Sequence, residues 1–176
     1  MQALKLSVLF SWVIIFSCAQ KPVEKTEKLR WMSLQEVQDT LKKVKRPVLI
    51  DLYTDWCGWC KVMDKNTYAH KDVSKYVQEK FYPVKLDAES KGEIRWMGKT
   101  YTYNRNYRTH DFAIWLTNGQ LSYPTTVFIP VDGEPQAIPG YLKPGEFELL
   151  VKYFGEDKFG KVPFEQYRKS FKPTWK

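Results

Sequence analysis

Three observations predict a three-layer α/β fold. The continuous apolar run Val48-Leu49-Ile50-Asp51-Leu52-Tyr53 leads directly into Trp56-Cys57-Gly58-Trp59-Cys60, the pattern of a buried strand that feeds a helix. A second apolar segment, Tyr82-Pro83-Val84-Lys85-Leu86-Asp87, follows after about one helix of chain. Two further strand-like segments, Thr125 to Ile129 and Gln136 to Tyr141, flank the turn Asp132-Gly133, and Pro144 then opens a last helix. Strand–helix–strand, then hairpin, then helix places helices on both sides of one sheet.

Each element has a local reason. Leu29 to Met32 suits a short edge strand. Ser33-Leu34-Gln35-Glu36 is a capping box, in which each end of the motif satisfies a free backbone N–H of the other. Leu34, Val37, Leu41 and Val44 recur at helical spacing, so a helix is predicted over 34–44, stopped by Arg46-Pro47. Val48 to Tyr53 has no polar alternation, as expected of a strand buried on both faces. Helices are predicted from Gly58 to about Tyr68 and from a cap at Asp72 through Val73, Tyr76, Val77 and Phe81. The final helix runs through Phe147, Leu150, Val151 and Phe154 to Gly155, with Pro at its start and Gly at its end.

The ends of the chain read differently. Lys5 precedes an apolar stretch from Leu6 to Phe16. It is shorter than the roughly 20 residues that a spanning helix needs and has the shape of an export signal. Ile15-Phe16-Ser17-Cys18 resembles the lipobox of bacterial lipoproteins, which implies a lipoprotein-type signal peptide over 1–17, cleavage before Cys18 and lipidation of Cys18. Several acyl chains on one residue give stable membrane attachment. The alternative is an ordinary signal peptide that contains Cys18. Residues 18–28 are polar and charged and form the tether. Ala19 after the Cys suits the outer membrane only where the common sorting rule applies, so which membrane holds the anchor stays open.

With Cys18 acylated, Cys57 and Cys60 are the two remaining thiols of the three in the chain. A pair at this spacing in an exported chain indicates redox catalysis rather than a disulfide scaffold. The spacing puts Cys57 at a helix N-terminus, where unpaired N–H groups and the positive end of the helix dipole favour a thiolate. Cys57 is therefore the expected attacking sulfur and Cys60 the resolving one. The net charge of +8 is spread along the chain and reads as a solvated basic surface suited to anionic membranes or acidic partners. Nucleic acid is not expected as a partner of an exported chain that lacks a basic block. The aromatic content of 16% supplies a core and argues against disorder.

Four features together resemble the thioredoxin superfamily. They are Trp56-Cys57-Gly58-Trp59-Cys60-Lys61 after a strand; Asp51, six residues before Cys57; Tyr123-Pro124-Thr125 leading into a strand; and Gly140 near the end of the next strand. The resemblance covers 29–155 and implies a thioredoxin-like α/β/α fold with a central mixed sheet. It implies that Pro124 is a cis-proline opposite Cys57, with the backbone of Tyr123 pairing with an extended substrate. It also implies that Asp51 is a buried carboxylate that moves the proton when Cys60 attacks. The alternative for Asp51 is a plain ion pair with Lys85 on the neighbouring strand, and such a pair would also tune the transfer. Trp56 and Trp59 are expected to form an apolar, substrate-contacting rim, with core packing as the alternative for Trp56. Trp59 stands where common thioredoxins carry Pro and strong oxidants and isomerases carry His, which leaves the direction of exchange open.

Residues 88–122 exceed the short crossover of a minimal thioredoxin. Ile94 to Tyr101 is expected to be a hairpin with a Gly-containing turn, and Phe112 to Leu116 the crossover helix, ended by Asn118-Gly119. This insert is either a partner-binding wall beside the cis-proline loop or a cap on the sheet. The basic, aromatic segment 156–176 is expected to pack as a terminal helix.

The expected function is a membrane-anchored thiol–disulfide oxidoreductase of the bacterial envelope, periplasm-facing and monomeric. It would act on protein thiols and disulfides and be recharged by a membrane electron donor. The alternative is a binding or assembly module whose cysteines form a structural disulfide. No cofactor is expected. One Cys pair supplies only two of the four ligands of a closed zinc site, His70 and His110 are distant in sequence, and Lys61 stands where haem attachment would need His.

Overall fold

The computed structural model describes residues 28–175. The signal-like segment, Cys18 and the tether up to residue 27 lie outside the described residues. At the centre is a four-stranded mixed sheet of β1 (Val48–Tyr53), β2 (Tyr82–Asp87), β7 (Thr125–Ile129) and β8 (Gln136–Pro139), in the order β2-β1-β7-β8. β1 pairs parallel with β2 and antiparallel with β7, and β7 pairs antiparallel with β8. The helices are α1 (Leu34–Leu41), α2 (Gly58–Met63), α3 (Lys71–Lys80), α4 (Asp111–Leu116), α5 (Pro144–Gly155) and α6 (Phe164–Ser170). Two short ladders lie in the 88–122 insert: β3 (Ile94–Trp96) with β4 (Lys99–Tyr101), and β5 (Tyr103–Asn104) with β6 (Thr109–His110).

Alternation along β1 sorts the core into two layers. Val48, Ile50 and Leu52 pack with Val37 and Leu41 of α1, Phe112 and Leu116 of α4, and Trp96 and Tyr101 of the hairpin. Leu49 faces the other layer, with Met63, Val73, Val77, Phe128, Phe147 and Val151. Asp51 shares the parity of Leu49 and so points to the layer that α2, α3 and α5 cover. The hairpin therefore covers one face of the sheet. Its turn residues Met97 and Gly98 both have positive φ, as a two-residue hairpin of this hand requires.

Several boundaries differ from the sequence expectation. The capping box forms, with Ser33 Oγ accepting from the Glu36 N–H at 3.1 Å and the Ser33 N–H donating to Glu36 Oε2 at 2.7 Å. The helix nevertheless ends at Leu41. Val44 continues the apolar spacing only by coincidence, since it is half-exposed in the following turn. The edge strand at 29–32 reduces to one parallel bridge, Met32 with Val84. The helix expected over 58–68 is α-helical only to Met63; a π turn over Asp64–Tyr68 follows, closed by the Ala69 N–H on Asp64 O. Here Thr67 Oγ1 donates to Leu142 O across the layer, a tertiary bond that helical periodicity does not reveal. The N-cap position of α3 is His70, and Asp72 lies inside the first turn instead of capping it. β8 ends at Pro139, not Tyr141, because Pro has no N–H to continue a ladder and Gly140 turns the chain at φ +97°.

Residues 156–175 fold back onto this body. Phe159, Phe164 and Tyr167 surround the Tyr153 ring, with centroids 5.2 to 6.2 Å away.

Candidate active site

The C-terminal end of β1 delivers Cys57 to the N-cap of α2. Its extended backbone (φ −72°, ψ 102°) leaves the helix N–H groups pointing at the sulfur. Cys57 Sγ accepts the Cys60 N–H at 3.0 Å. The two cysteines form a disulfide with an S–S distance of 2.07 Å. Cys57 and Cys60 are only 4% and 3% exposed, whereas the flanking Trp56 and Trp59 are 67% and 62% exposed. The disulfide is thus buried while the two indoles beside it in sequence project into solvent.

Each indole is fixed. Trp56 meets the Tyr123 ring edge-on at 5.8 Å, and its Nε1 donates to Glu89 Oε1 at 3.1 Å. Its exposure places it on the rim rather than in the core. Trp59 stacks on Tyr141 at 5.6 Å. The Tyr123–Pro124 bond is cis. Pro124 is buried, and its carbonyl accepts the Gly140 N–H at 2.8 Å, so the loop and the end of β8 are locked together.

Asp51 is 1% exposed. Its Oδ2 accepts from Lys85 Nζ at 2.7 Å, while Oδ1 has no hydrogen-bond partner among the described residues. Burial pushes its pKa up from 3.8 to about 6, against the pull of the Lys85 ammonium beside it. Lys85 Nζ also bonds Asp64 Oδ1 and lies over the Tyr53 ring at 4.8 Å and the Trp31 ring at 5.5 Å. Burial alone would lower the Lys85 ammonium, but the two carboxylates hold it above its ordinary value. The strand pairing Asp51↔Lys85 brings the first pair together, and the π turn supplies the second carboxylate.

The structure thus gathers Cys57, Cys60, Trp56, Trp59, Tyr123 and Pro124 at one end of the sheet, with Asp51 and Lys85 on the face below α2. Sequence reasoning missed Asp64, Glu89 and Tyr141. Asp64 lies four residues after Cys60 and therefore on the same side of a helix as Cys60, the only signal that would have found it. His110 is fully buried: Nδ1 accepts the Phe112 N–H at 3.1 Å and Nε2 faces Gly92 O at 2.9 Å. It caps α4 and lines no cluster. Among the described residues, no three His, Cys, Asp or Glu side chains converge as metal ligands.

Residues 34–155 match the family model described as a thioredoxin-like domain. A thioredoxin of Borreliella burgdorferi is 31% identical over 109 residues, covering 62% of this chain and 74% of that protein. The thiol:disulfide interchange protein DsbD of Colwellia psychrerythraea is 26% identical over 130 residues, covering 68% of this chain but only 18% of DsbD. Among solved structures, the DsbH oxidoreductase superposes with a TM-score of 0.56 at 17% identity, covering 80% of this chain and 93% of that one. This last likeness is one of fold.

Proposed function

The chain belongs to the thioredoxin-like domain family and is a thiol–disulfide oxidoreductase, and we propose that it works from a lipid anchor in a bacterial envelope, reducing or exchanging the disulfides of proteins. The observation that carries the reading is the buried Cys57–Cys60 pair at the start of α2, whose neighbour Trp56 meets Tyr123 of the cis-Pro124 loop, at the end of a strand that carries the buried Asp51–Lys85 pair. The anchor rests on the signal-like segment that ends in Ile15-Phe16-Ser17-Cys18.

In the reducing direction the dithiol form acts first. The helix N-terminus favours the Cys57 thiolate. That thiolate attacks one sulfur of a substrate disulfide held against Tyr123, Pro124, Trp56 and Trp59. The substrate S–S bond breaks, a mixed disulfide with Cys57 forms, and the departing sulfur takes a proton from solvent. Asp51, with a pKa of about 6, is mostly carboxylate at neutral pH and accepts the proton of Cys60. Lys85 keeps that carboxylate oriented. Cys60 attacks Cys57 Sγ, the second substrate sulfur leaves and is protonated, and the protein ends as the Cys57–Cys60 disulfide. Two electrons and two protons have passed to the substrate. A further turnover needs a dithiol donor, for which a membrane protein is the natural source.

The reduction potential of the full chain in detergent, measured by equilibration with glutathione, tests the reading. A value near about −270 mV indicates a reductase, and one near about −120 mV an oxidant. A pair that resists reduction overturns the enzyme reading in favour of a binding module. Cys60→Ser should accumulate mixed disulfides with envelope proteins. Acylation that survives Cys18→Ala would remove the proposed anchor.

A further inference from the structure

Beside the active site lies an open cleft of about 630 Å³ between the start of α5 and the C-terminal segment. Its apolar wall is made by Tyr141, Pro144, Leu149, Phe171, Pro173 and Trp175. Tyr141 belongs to both places: one face of its ring stacks on Trp59 of the Cys57-Gly58-Trp59-Cys60 motif. The cleft is therefore continuous with the rim of the disulfide, two aromatic rings away.

The tail wall is fastened in place. Glu148 is fully buried and accepts the N–H groups of Thr174 and Trp175 at 2.6 and 2.8 Å and the Thr174 hydroxyl at 2.7 Å. Lys152 compensates its charge at 2.6 Å and lies over the Phe171 and Trp175 rings. Position 145 is glycine where the tail passes closest: a Cβ there would stand 3.1 Å from the Trp175 carbonyl. Three charged residues, Lys143, Glu146 and Arg168, stand at the rim. Arg168 pairs with Glu165, and Glu146 accepts the Lys143 N–H. What the cleft offers a ligand is chiefly apolar surface, in a volume typical of small-ligand sites.

We propose that this cleft is a subsite for an apolar side chain that flanks the disulfide of a polypeptide substrate, so that the tail selects unfolded or apolar clients over small or polar disulfides. The inference rests on the exchange reading above. A polypeptide whose cystine sits at Cys57 passes over Trp59 and Tyr141, and a leucine or phenylalanine a few residues along it reaches Leu149 and Phe171. Binding there strengthens capture without touching the sulfur chemistry, so it appears in KM.

The test uses the full chain in detergent and two disulfide peptides of equal length and charge. One carries Leu or Phe three to five residues from its cysteine, the other Ser. Glutathione disulfide is the small reference. Burying one such side chain should give the apolar peptide a KM lower by about tenfold. Leu149→Gln should collapse that preference towards one. Phe171→Gln applies the same test from the tail side, should the first variant fail to fold. Equal KM values for the two peptides with the unaltered chain, or a preference that survives both substitutions, overturn the subsite while leaving the exchange reading intact. Failure to exchange glutathione disulfide or either peptide instead overturns the exchange reading.

Discussion

Replacing Asp51 by Asn removes a charge that the fold holds under strain of solvation. Asp51 is 1% exposed, and its pKa stands at about 6 against an ordinary 3.8. At about 1.4 kcal/mol for each tenfold change in proton affinity, the ionised side chain opposes folding by about 3 kcal/mol. The folded value lies above the unfolded one. The penalty is therefore absent below pH 4, where both states are protonated, grows between about pH 4 and pH 6, and is constant above. The value of about 6 already contains the attraction of Lys85, which in the variant keeps Asp64 and partial solvent contact. Asp51→Asn should therefore stabilise the oxidised protein by about 3 kcal/mol near pH 8 and by almost nothing near pH 3. Urea unfolding at the two pH values measures this. The same substitution should slow the attack of Cys60 on a mixed disulfide by about a hundredfold. A variant that is no more stable near pH 8, or whose advantage does not vary with pH, would refute the account of Asp51 as a desolvated base.

Three other outcomes follow from named contacts. Asp64 contributes to raising Asp51, so Asp64→Asn should move the pH midpoint of Cys60 attack downward, read from stopped-flow resolution of a trapped mixed disulfide. Burial would raise Glu148, but Lys152 and the Trp175 and Thr174 groups hold it below its ordinary value. The contribution of the tail clasp is thus present above the glutamate range and lost as pH falls through the lowered value. Glu148→Gln should cost about 2 kcal/mol at neutral pH and red-shift tryptophan emission as Trp175 is released. His110→Ala leaves the Phe112 N–H and Gly92 O without their partner and opens a cavity, which should cost about 3 kcal/mol in a urea titration.

What the sequence revealed and what it hid divide along the range of the interaction. β1, the Cys57 N-cap, the Ser33 box and the Pro144 start were legible because each is decided within a few residues. The cysteine pair was legible from its spacing after a strand, Asp51 and Tyr123-Pro124 were found through resemblance, and the strand register then placed Lys85 opposite Asp51. Asp64 was not legible, because its part depends on a π turn set by a bond from Thr67 to Leu142, distant in sequence. Glu89 and Tyr141 meet the two rim indoles only after the sheet has assembled. Glu148 was not legible either, because its partners Thr174 and Trp175 lie on the returning tail. Val44 was misread for the opposite reason: its spacing was helical, but the helix had already ended.

β2 has its free side occupied at one point by Met32, and β8 is four residues long and ends in Pro139. An uncovered strand is a template on which a neighbouring copy can add another, and short, proline-bearing or partly covered margins resist this. Molecules held by a lipid on one surface would meet at high local density. Margins of this kind would let copies held in that way stay separate instead of joining sheet to sheet into polymers.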